Sequence, residues 1–292
     1  LVINDGCIVD LLPYEVALKR YLPREELTLP GHVLLPGLVN LHTHAALSLL
    51  RGCADDLPLN SPLSRRTWPA EARHLSAEFV RTGTLLACAE MLRGGITTFN
   101  DMCFFPTAAV DAVHQSGMRA ALGLVVLEQP TNYAADADDY LSKGLALRDT
   151  CKDHPLLSFC LAPQAPGTVT DKTLEKIATL SAQLEIPIHT HLHETRDEIA
   201  ESIRQYGVSP VKRLHTLGLL GPQFIAVHAV HLEAGEIDQL SLTGCHIAFC
   251  PTSNLKLGSG IPDINDSHQR GINFGLGTES ARSEEHTSEL QS

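Results

Sequence analysis

The segment LLPGLVNLHTH, residues 34–44, is an apolar run that ends in two histidines. Its Leu and Val residues predict a buried β-strand over 33–42. His42 and His44 are two positions apart, so on a strand both side chains point to the same face. Two neutral imidazoles held together suit Zn²⁺ or a similar borderline metal ion. The segment therefore predicts a strand that places the first two ligands of a metal site at its carboxyl end.

Short apolar segments and helical patterns alternate along the rest of the chain. A helix is predicted over 77–93, where apolar residues recur at helical spacing before Gly94-Gly95, and another over 171–184 with Asp171 as its cap. Because each helix leads into another buried strand, the strands are expected to be parallel. Further helices are predicted over 195–207 and 233–243, and strands over 33–42, 96–101, 119–127, 156–162, 186–192, 224–230, 245–250 and 272–278.

Eight parallel strands with helices between them are the pattern of a (β/α)8 TIM-type barrel. We predict such a barrel over residues 31–281, lacking its eighth helix. A doubly wound open sheet is the structural alternative, but the sequence contains no glycine-rich phosphate loop to support it.

The two ends of the chain depart from the barrel pattern. Leu1 to Gly6 predicts a strand that enters an Asp-Gly turn, so we interpret residues 1–30 as a remnant of a small N-terminal β domain. Residues 282–292, RSEEHTSELQS, share no pattern with the preceding chain and resemble the translation of a sequencing-library adapter. We interpret them as a non-native tail and exclude them from the fold and the site.

The composition excludes several classes of partner. The formal net charge of -12 argues against nucleic acid and against an anionic membrane surface. No apolar run approaches the roughly 18 residues that a membrane span needs. The eight cysteines are scattered and form no Cys-x-x-Cys pair, which favours reduced thiols in a cytoplasmic protein.

Unusual polar residues follow four of the predicted strands, at the end of a barrel where active sites lie. Besides the histidines of the first strand, His191 and Glu194 follow the fifth, His228 lies near the end of the sixth, and Glu279 ends the eighth. We expect His191 to be a third metal ligand and Glu279 a fourth, which also takes a proton from water. Glu194 would move a proton to a leaving group, and His228 would orient the attacking water.

Two further histidines, His189 and His193, alternate with His191 along the same predicted strand. Only one more imidazole is needed to complete a set of three. For His189 and His193 we therefore favour packing or hydrogen bonding to a ligand over direct ligation.

The chain resembles the amidohydrolase superfamily, and more closely its methylthioadenosine/S-adenosylhomocysteine deaminases, which are often grouped with triazine hydrolases. The resemblance covers about residues 30–280, and its motifs are specific in combination. They are PGLVNLHTH (36–44), LRG (50–52) with ADDLPL (54–59), WPAE (68–71), EMLRGG (90–95), HLHET (191–195) and CPTSNLKL (250–257).

The resemblance implies one zinc ion per chain, with Fe²⁺ or Mn²⁺ as alternatives, and an expected set of roles. The segment 156–163 contains no lysine, so the bridging carboxylated lysine of binuclear relatives is absent. The metal ligands would be His42, His44, His191 and Glu279. Glu194 would be the proton shuttle, and His228 would assist at the water. Glu71 would bind the ribose hydroxyls, Trp68 would line the pocket, and Gln164 would hydrogen-bond a purine ring nitrogen.

Three positions depart from the family pattern. Glu279 stands where the family has Asp, and its extra methylene moves the carboxylate. Gln164 begins QAPG (164–167), where the family usually has His-Ala-Pro-Tyr. The stretch LGLVVL (122–127) contains no arginine to hold a homocysteine carboxylate. The missing arginine favours methylthioadenosine or adenosine over S-adenosylhomocysteine.

We therefore expect zinc-dependent hydrolytic deamination of a 6-aminopurine nucleoside (methylthioadenosine, S-adenosylhomocysteine or adenosine), giving the inosine analogue and ammonia. Two alternatives stay open. One is another deaminase or dechlorinase of the superfamily, acting on guanine, a pterin or a triazine. The other is an inactive, truncated fragment. The expected partners are the nucleoside and a second copy of the chain.

Overall fold

The computed structural model describes residues 1–52 and 73–279. The predicted tail over 282–292 and the predicted lack of an eighth helix fall outside these residues. Within the described residues, no helix has the length and apolarity that a membrane crossing requires.

The chain divides into two compact units, of which the first is Leu1–Pro36. Strand β1 (Val2–Asn4) pairs antiparallel with β2 (Cys7–Asp10), and helix α1 (Tyr14–Arg20) follows. Asp5 and Gly6 between the strands have φ angles of 47° and 75°, as a type I′ hairpin turn requires. The predicted N-terminal β segment is thus confirmed as a small antiparallel sheet, while the predicted boundary at residue 30 stays a prediction.

The second unit begins at Gly37, and its described residues form eight parallel strands in sequential order. The sheet closes where the residues after its last strand contact its first strand. Thr278 and Glu279 donate their backbone N–H groups to the carbonyl oxygen of His42 at 2.9 and 3.1 Å. This confirms the predicted (β/α)8 barrel. The strands are β3 (Leu38–Thr43), β4 (Ile96–Met102), β5 (Arg119–Val126), β6 (Leu157–Pro163), β7 (Ile188–Leu192), β8 (Phe224–His228), β9 (His246–Phe249) and β10 (Asn273–Leu276).

Several of the helices between the strands begin at a Ser, Thr or Asp whose side chain accepts a backbone N–H of the first turn. The helix predicted over 77–93 has those bounds, and Ser76 Oγ accepts from the backbone N–H of Phe79 at 3.2 Å. The prediction that Asp171 is the cap of the helix over 171–184 is wrong, because Thr170 Oγ1 accepts from Thr173 N and Asp171 is the first helical residue. The helices are α2 (Ala77–Arg93), α3 (Pro106–Ser116), α4 (Ala137–Cys151), α5 (Asp171–Leu184), α6 (Arg196–Tyr206), α7 (Pro210–Thr216), α8 (Ala234–Thr243), α9 (Pro251–Lys256) and α10 (Ile264–Gln269).

One close helix contact supports the chain just after the first barrel strand. A short 3₁₀ helix, Ala45–Leu50, follows His44 and packs against α2. A Cβ on Gly83 of α2 would lie 2.2 Å from the carbonyl oxygen of Ala46, so only glycine permits this approach. The packing therefore holds the backbone immediately after His44 in place.

Candidate metal centre

Four metal-ligating side chains meet at the carboxyl end of the barrel, as the sequence predicts. They are His42 from β3, His44 directly after β3, His191 from β7, and Glu279 just after β10, and their ligand atoms all lie within 4.8 Å of one another. His42 is fully buried, and Glu279 is 8% exposed. Residues from strands far apart in the chain thus form one donor cluster.

The spacing of the donor atoms fits a tetrahedral metal ion. His191 Nε2 lies 3.3 Å from His42 Nε2 and 3.3 Å from His44 Nε2, and Glu279 Oε1 lies 3.5 Å from His44 Nε2. Ligands about 2.0–2.1 Å from a tetrahedral zinc ion would be about 3.3 Å apart. Glu279 Oε2 lies closer to His42 Nε2, at 2.6 Å, so this pair would move slightly apart around an ion.

Backbone carbonyl groups orient two of the histidines. His191 Nδ1 lies 2.7 Å from the carbonyl oxygen of Gln164, and His44 Nδ1 contacts the carbonyl oxygen of Met102. A carbonyl oxygen only accepts, so each Nδ1 must hold the proton. The Nε2 atom of each ring then carries no proton, and its lone pair points into the cluster, as metal binding requires.

Another histidine orients His42. His189 Nε2 lies 3.0 Å from His42 Nδ1, and both rings are fully buried. Burial lowers the pKa of His42 to about 3 and that of His189 well below its usual range, so both rings stay neutral. When His42 Nδ1–H donates to His189, His42 Nε2 is free to bind a metal.

Backbone strain is concentrated around this cluster. His193, His228, Ala229 and Glu279 all have positive φ angles, of 52°, 70°, 49° and 65°. Such conformations are uncommon for residues other than glycine and collect at functional sites. The strain turns the chain sharply at the ends of β7, β8 and β10, where the candidate residues lie.

Glu194 and His228 lie beside the donor cluster. His228 Nδ1 lies 2.8 Å from Asn254 Oδ1, and its Nε2 lies 3.3 Å from Glu279 Oε2 and 3.8 Å from Glu194 Oε2. Burial lowers the pKa of His228, but the Glu194 and Glu279 carboxylates outweigh it and raise the pKa to about 9. Ser259 Oγ donates to Glu194 Oε1 at 3.4 Å.

A third glutamate, Glu198, holds the backbone of Glu194. Its carboxylate accepts the backbone N–H groups of His193 at 3.3 Å and Glu194 at 2.9 Å, while Thr195 Oγ1 accepts the N–H of Glu198. Burial raises the pKa of Glu198 to about 7, and the two backbone N–H groups oppose that rise. The Thr195–Glu198 spacing is that of a capping box, so the sequence contained the pattern that finds Glu198.

The other predicted residues have different outcomes. Glu71 and Trp68 lie outside the described residues, so their roles stay predictions. Gln164 lies beside the cluster, but the contact that the structure shows is from its backbone carbonyl to His191. Sequence reasoning missed Asp101, the last residue but one of β4. Its carboxylate accepts the backbone N–H of Ala45 at 2.8 Å, and burial raises its pKa to about 6.

Comparisons with known proteins identify the family of the chain. Residues 33–291 match the amidohydrolase family. A 5-methylthioadenosine/S-adenosylhomocysteine deaminase of Teredinibacter turnerae is 45% identical over 283 residues, which cover 97% of this chain and 64% of that protein.

Solved structures resemble the chain as well. The crystal structure of an adenosine deaminase from Xanthomonas campestris with bound zinc has a TM-score of 0.95 and 41% identity, covering 98% of this chain and 65% of that one. Atrazine chlorohydrolase from Arthrobacter aurescens, complexed with zinc, has a TM-score of 0.80 at 23% identity over 87% of this chain and 62% of that one, a likeness that shows the fold alone. The chain spans 64% of the length of the Teredinibacter relative.

Proposed function

This chain belongs to the amidohydrolase family, and from that premise we propose that it removes the 6-amino group of an adenosine-type nucleoside by hydrolysis, using one zinc ion. The observation that most supports this is the donor cluster of three histidines and Glu279, with Glu194 and His228 beside it. The relatives named as deaminases of such nucleosides support the reaction class.

The donor set fits zinc by chemistry as well as by spacing. Imidazole nitrogens and a carboxylate are zinc ligands, and a zinc ion can expand to five ligands, so a water would be the fifth beside these four side chains. The ligands would be His42, His44, His191 and Glu279. A bound zinc ion lowers the pKa of a coordinated water to about 7, which makes hydroxide available at neutral pH.

The chain's own residues would handle the protons of the reaction. Glu194 would donate a proton to the purine ring nitrogen next to C6 as water adds to that carbon, while Glu279 would accept one proton from the water. The remaining proton of the new C6 hydroxyl group would pass through Glu194 to the amine as the C6–N bond breaks, and the proton on Glu279 would then restore Glu194. His228, held by Asn254 and close to both carboxylates, would hydrogen-bond the attacking oxygen. The products would be the inosine analogue and ammonia.

The preferred nucleoside would have an uncharged 5′ substituent. Strand β5 presents Leu124, Val125 and Val126 at its carboxyl end, all buried, and its one arginine, Arg119, lies at the opposite end. That end would supply no cation for a homocysteine carboxylate. We therefore propose methylthioadenosine or adenosine ahead of S-adenosylhomocysteine, with Glu71 and Trp68 as the expected ribose contacts.

Location and partners are part of the same proposal. The scattered cysteines, without a Cys-x-x-Cys pair, support a cytoplasmic location. The net charge of -12 argues against nucleic acid as a partner, and we expect a small-molecule substrate and a second copy of the chain.

An ammonia-release assay on the zinc-loaded protein tests this function. Methylthioadenosine, adenosine, S-adenosylhomocysteine and guanine would be compared at equal concentration, with zinc content measured on the same sample. We expect release from the first two substrates. Release from guanine alone, or no release from any adenosine-type nucleoside by protein that holds zinc, would contradict the proposal.

Two matched glutamate variants, one in the site and one on the surface, test the role of Glu194 in that assay. Glu194→Gln should lower kcat by about 10²–10⁴-fold, the usual contribution of a general acid–base group, while zinc content stays unchanged. Glu175→Gln, on the exposed face of α5, should leave both unchanged.

A further inference from the structure

A second group of metal-ligating side chains shares Glu279 with the candidate metal centre. His228, Cys250 and Glu279 are all buried, and their ligand atoms lie within 4.8 Å of one another. His228 ends β8, and Cys250 follows β9 directly. We propose that these three residues form a second, weaker position for a thiophilic divalent cation such as Zn²⁺ or Cd²⁺, and that its occupation inhibits the enzyme.

The ring of His228 supplies the first observation in support. Asn254 Oδ1 accepts from Nδ1 at 2.8 Å, so the proton on that nitrogen is already used. His228 Nε2 is fully buried and makes no hydrogen bond to any residue in the described ranges. It faces Glu279 Oε2, a second acceptor, at 3.3 Å. A cation bound to both atoms would satisfy the Nε2 lone pair and the carboxylate oxygen together.

The thiol of Cys250 supplies the second observation in support of this position. A Cβ on Gly277 would lie 2.9 Å from Cys250 Sγ and 3.0 Å from His42 Cβ. The glycine therefore leaves the space in which the thiol sits against the chain that leads to Glu279. A thiolate is a soft ligand that selects zinc and cadmium over magnesium or calcium. Binding would release the thiol proton to solvent.

Sharing of Glu279 explains why occupation would inhibit. A carboxylate can bridge two metal ions about 3.5–4 Å apart. A cation held by His228 and Cys250 would engage the imidazole and the carboxylate that the proposed function assigns to the attacking water. The inhibitory effect rests on that proposed function, but the binding position itself does not.

Cobalt substitution separates the two positions spectroscopically. Metal-free protein would be titrated with Co²⁺ while the thiolate-to-cobalt charge-transfer absorption in the near ultraviolet is recorded. We expect the first equivalent to bind without this band and the second to produce it. Cys250→Ser and Cys250→Ala should both remove the band and keep the first equivalent. Cys245→Ser, a buried thiol before the start of β9, should keep both.

Affinity and inhibition provide the remaining readouts. The second equivalent of Cd²⁺ should bind at least about tenfold more weakly to Cys250→Ser, since loss of even an outer-shell partner costs about 10–100-fold. Excess zinc should inhibit the native protein and spare this variant.

Three results would overturn the second position: no thiolate band at any Co²⁺ concentration, a band that persists in both Cys250 variants, or a band that appears with the first equivalent. Protein that binds one equivalent and deaminates nucleosides, but never shows the band, would leave the proposed function standing. Protein that shows the band but has no deaminase activity would support the second metal position and contradict the proposed function.

Discussion

Strands β3 and β7 present the same alternating histidine pattern, but they use it differently. His42, in β3, and His44, directly after it, both turn their Nε2 atoms into the candidate metal centre. On β7 only His191 does so. His189 lies beneath it and bonds His42, while the ring of His193 turns away and its Nδ1 lies 3.0 Å from the carbonyl oxygen of His231. Alternation selects the face of a strand, but depth in the barrel and the local backbone decide what each residue on that face contacts.

The backbone of His193 explains the difference at the end of β7. Its φ of 52° takes it out of the strand conformation, so the alternation stops at Leu192. Its carbonyl oxygen then accepts the backbone N–H groups of Val230 and His231, which ties the end of β7 to the end of β8. His193 therefore stabilises the turn that presents Glu194.

The largest effect is expected from the histidine of β7 that joins the donor cluster. His191→Ala removes one of the proposed ligands, and we expect zinc affinity to fall by more than about 100-fold, beyond the loss that outer-shell partners produce. Dialysis against a zinc buffer followed by metal analysis measures this. If the variant retains all of its zinc, His191 is not a ligand, and metal binding does not distinguish it from His189 and His193.

A smaller loss is expected at His189, which acts through His42. His189→Ala should lower zinc affinity by about 10–100-fold, because His42 loses the group that orients its ring. His189→Gln keeps an acceptor near His42 Nδ1 and should recover part of the loss. If both variants bind zinc as the native protein does, the contact between the two rings has no influence on the metal.

His193 should affect stability rather than metal content. His193→Asn, whose residue type tolerates positive φ, leaves the His231 carbonyl without its imidazole partner and should lower the free energy of unfolding by about 1–3 kcal/mol. Urea denaturation measures this loss, and zinc content of the same sample is the control. A variant that loses zinc but keeps its stability would contradict this prediction, because His193 would then act on metal binding as His191 is proposed to do.

The smallest effect concerns the pH dependence that Glu198 produces beneath the same turn. Its pKa is raised from 4.5 to about 7, so between these values the folded protein binds more protons than the unfolded chain. Stability should therefore fall as pH rises through this range. Glu198→Gln should flatten the change in melting temperature between pH 5 and pH 7. An unchanged profile would mean that Glu198 titrates normally in the folded protein.

Local sequence patterns were enough to predict most of the architecture and part of the site. The helix over 77–93 was predicted with its observed bounds because its apolar spacing and the following glycines are local properties. The pairing of His42 with His44 followed from the two-residue period of a strand. The cap of α5 was assigned one residue late because Thr170 and Asp171 are both good caps, and only the backbone shows which one accepts.

The sequence by itself determined the barrel, the shared face of the β3 histidines and the identity of the residues at the strand ends. Only the tertiary structure decided which nitrogen each histidine directs at the centre. His42 meets His189 across 147 positions of chain, and Asn40 meets Thr278 across 238. Contacts of this kind depend on strand register and barrel closure. No local period encodes them, so the partners of His42, His228 and Cys250 become visible only when the strands are assembled.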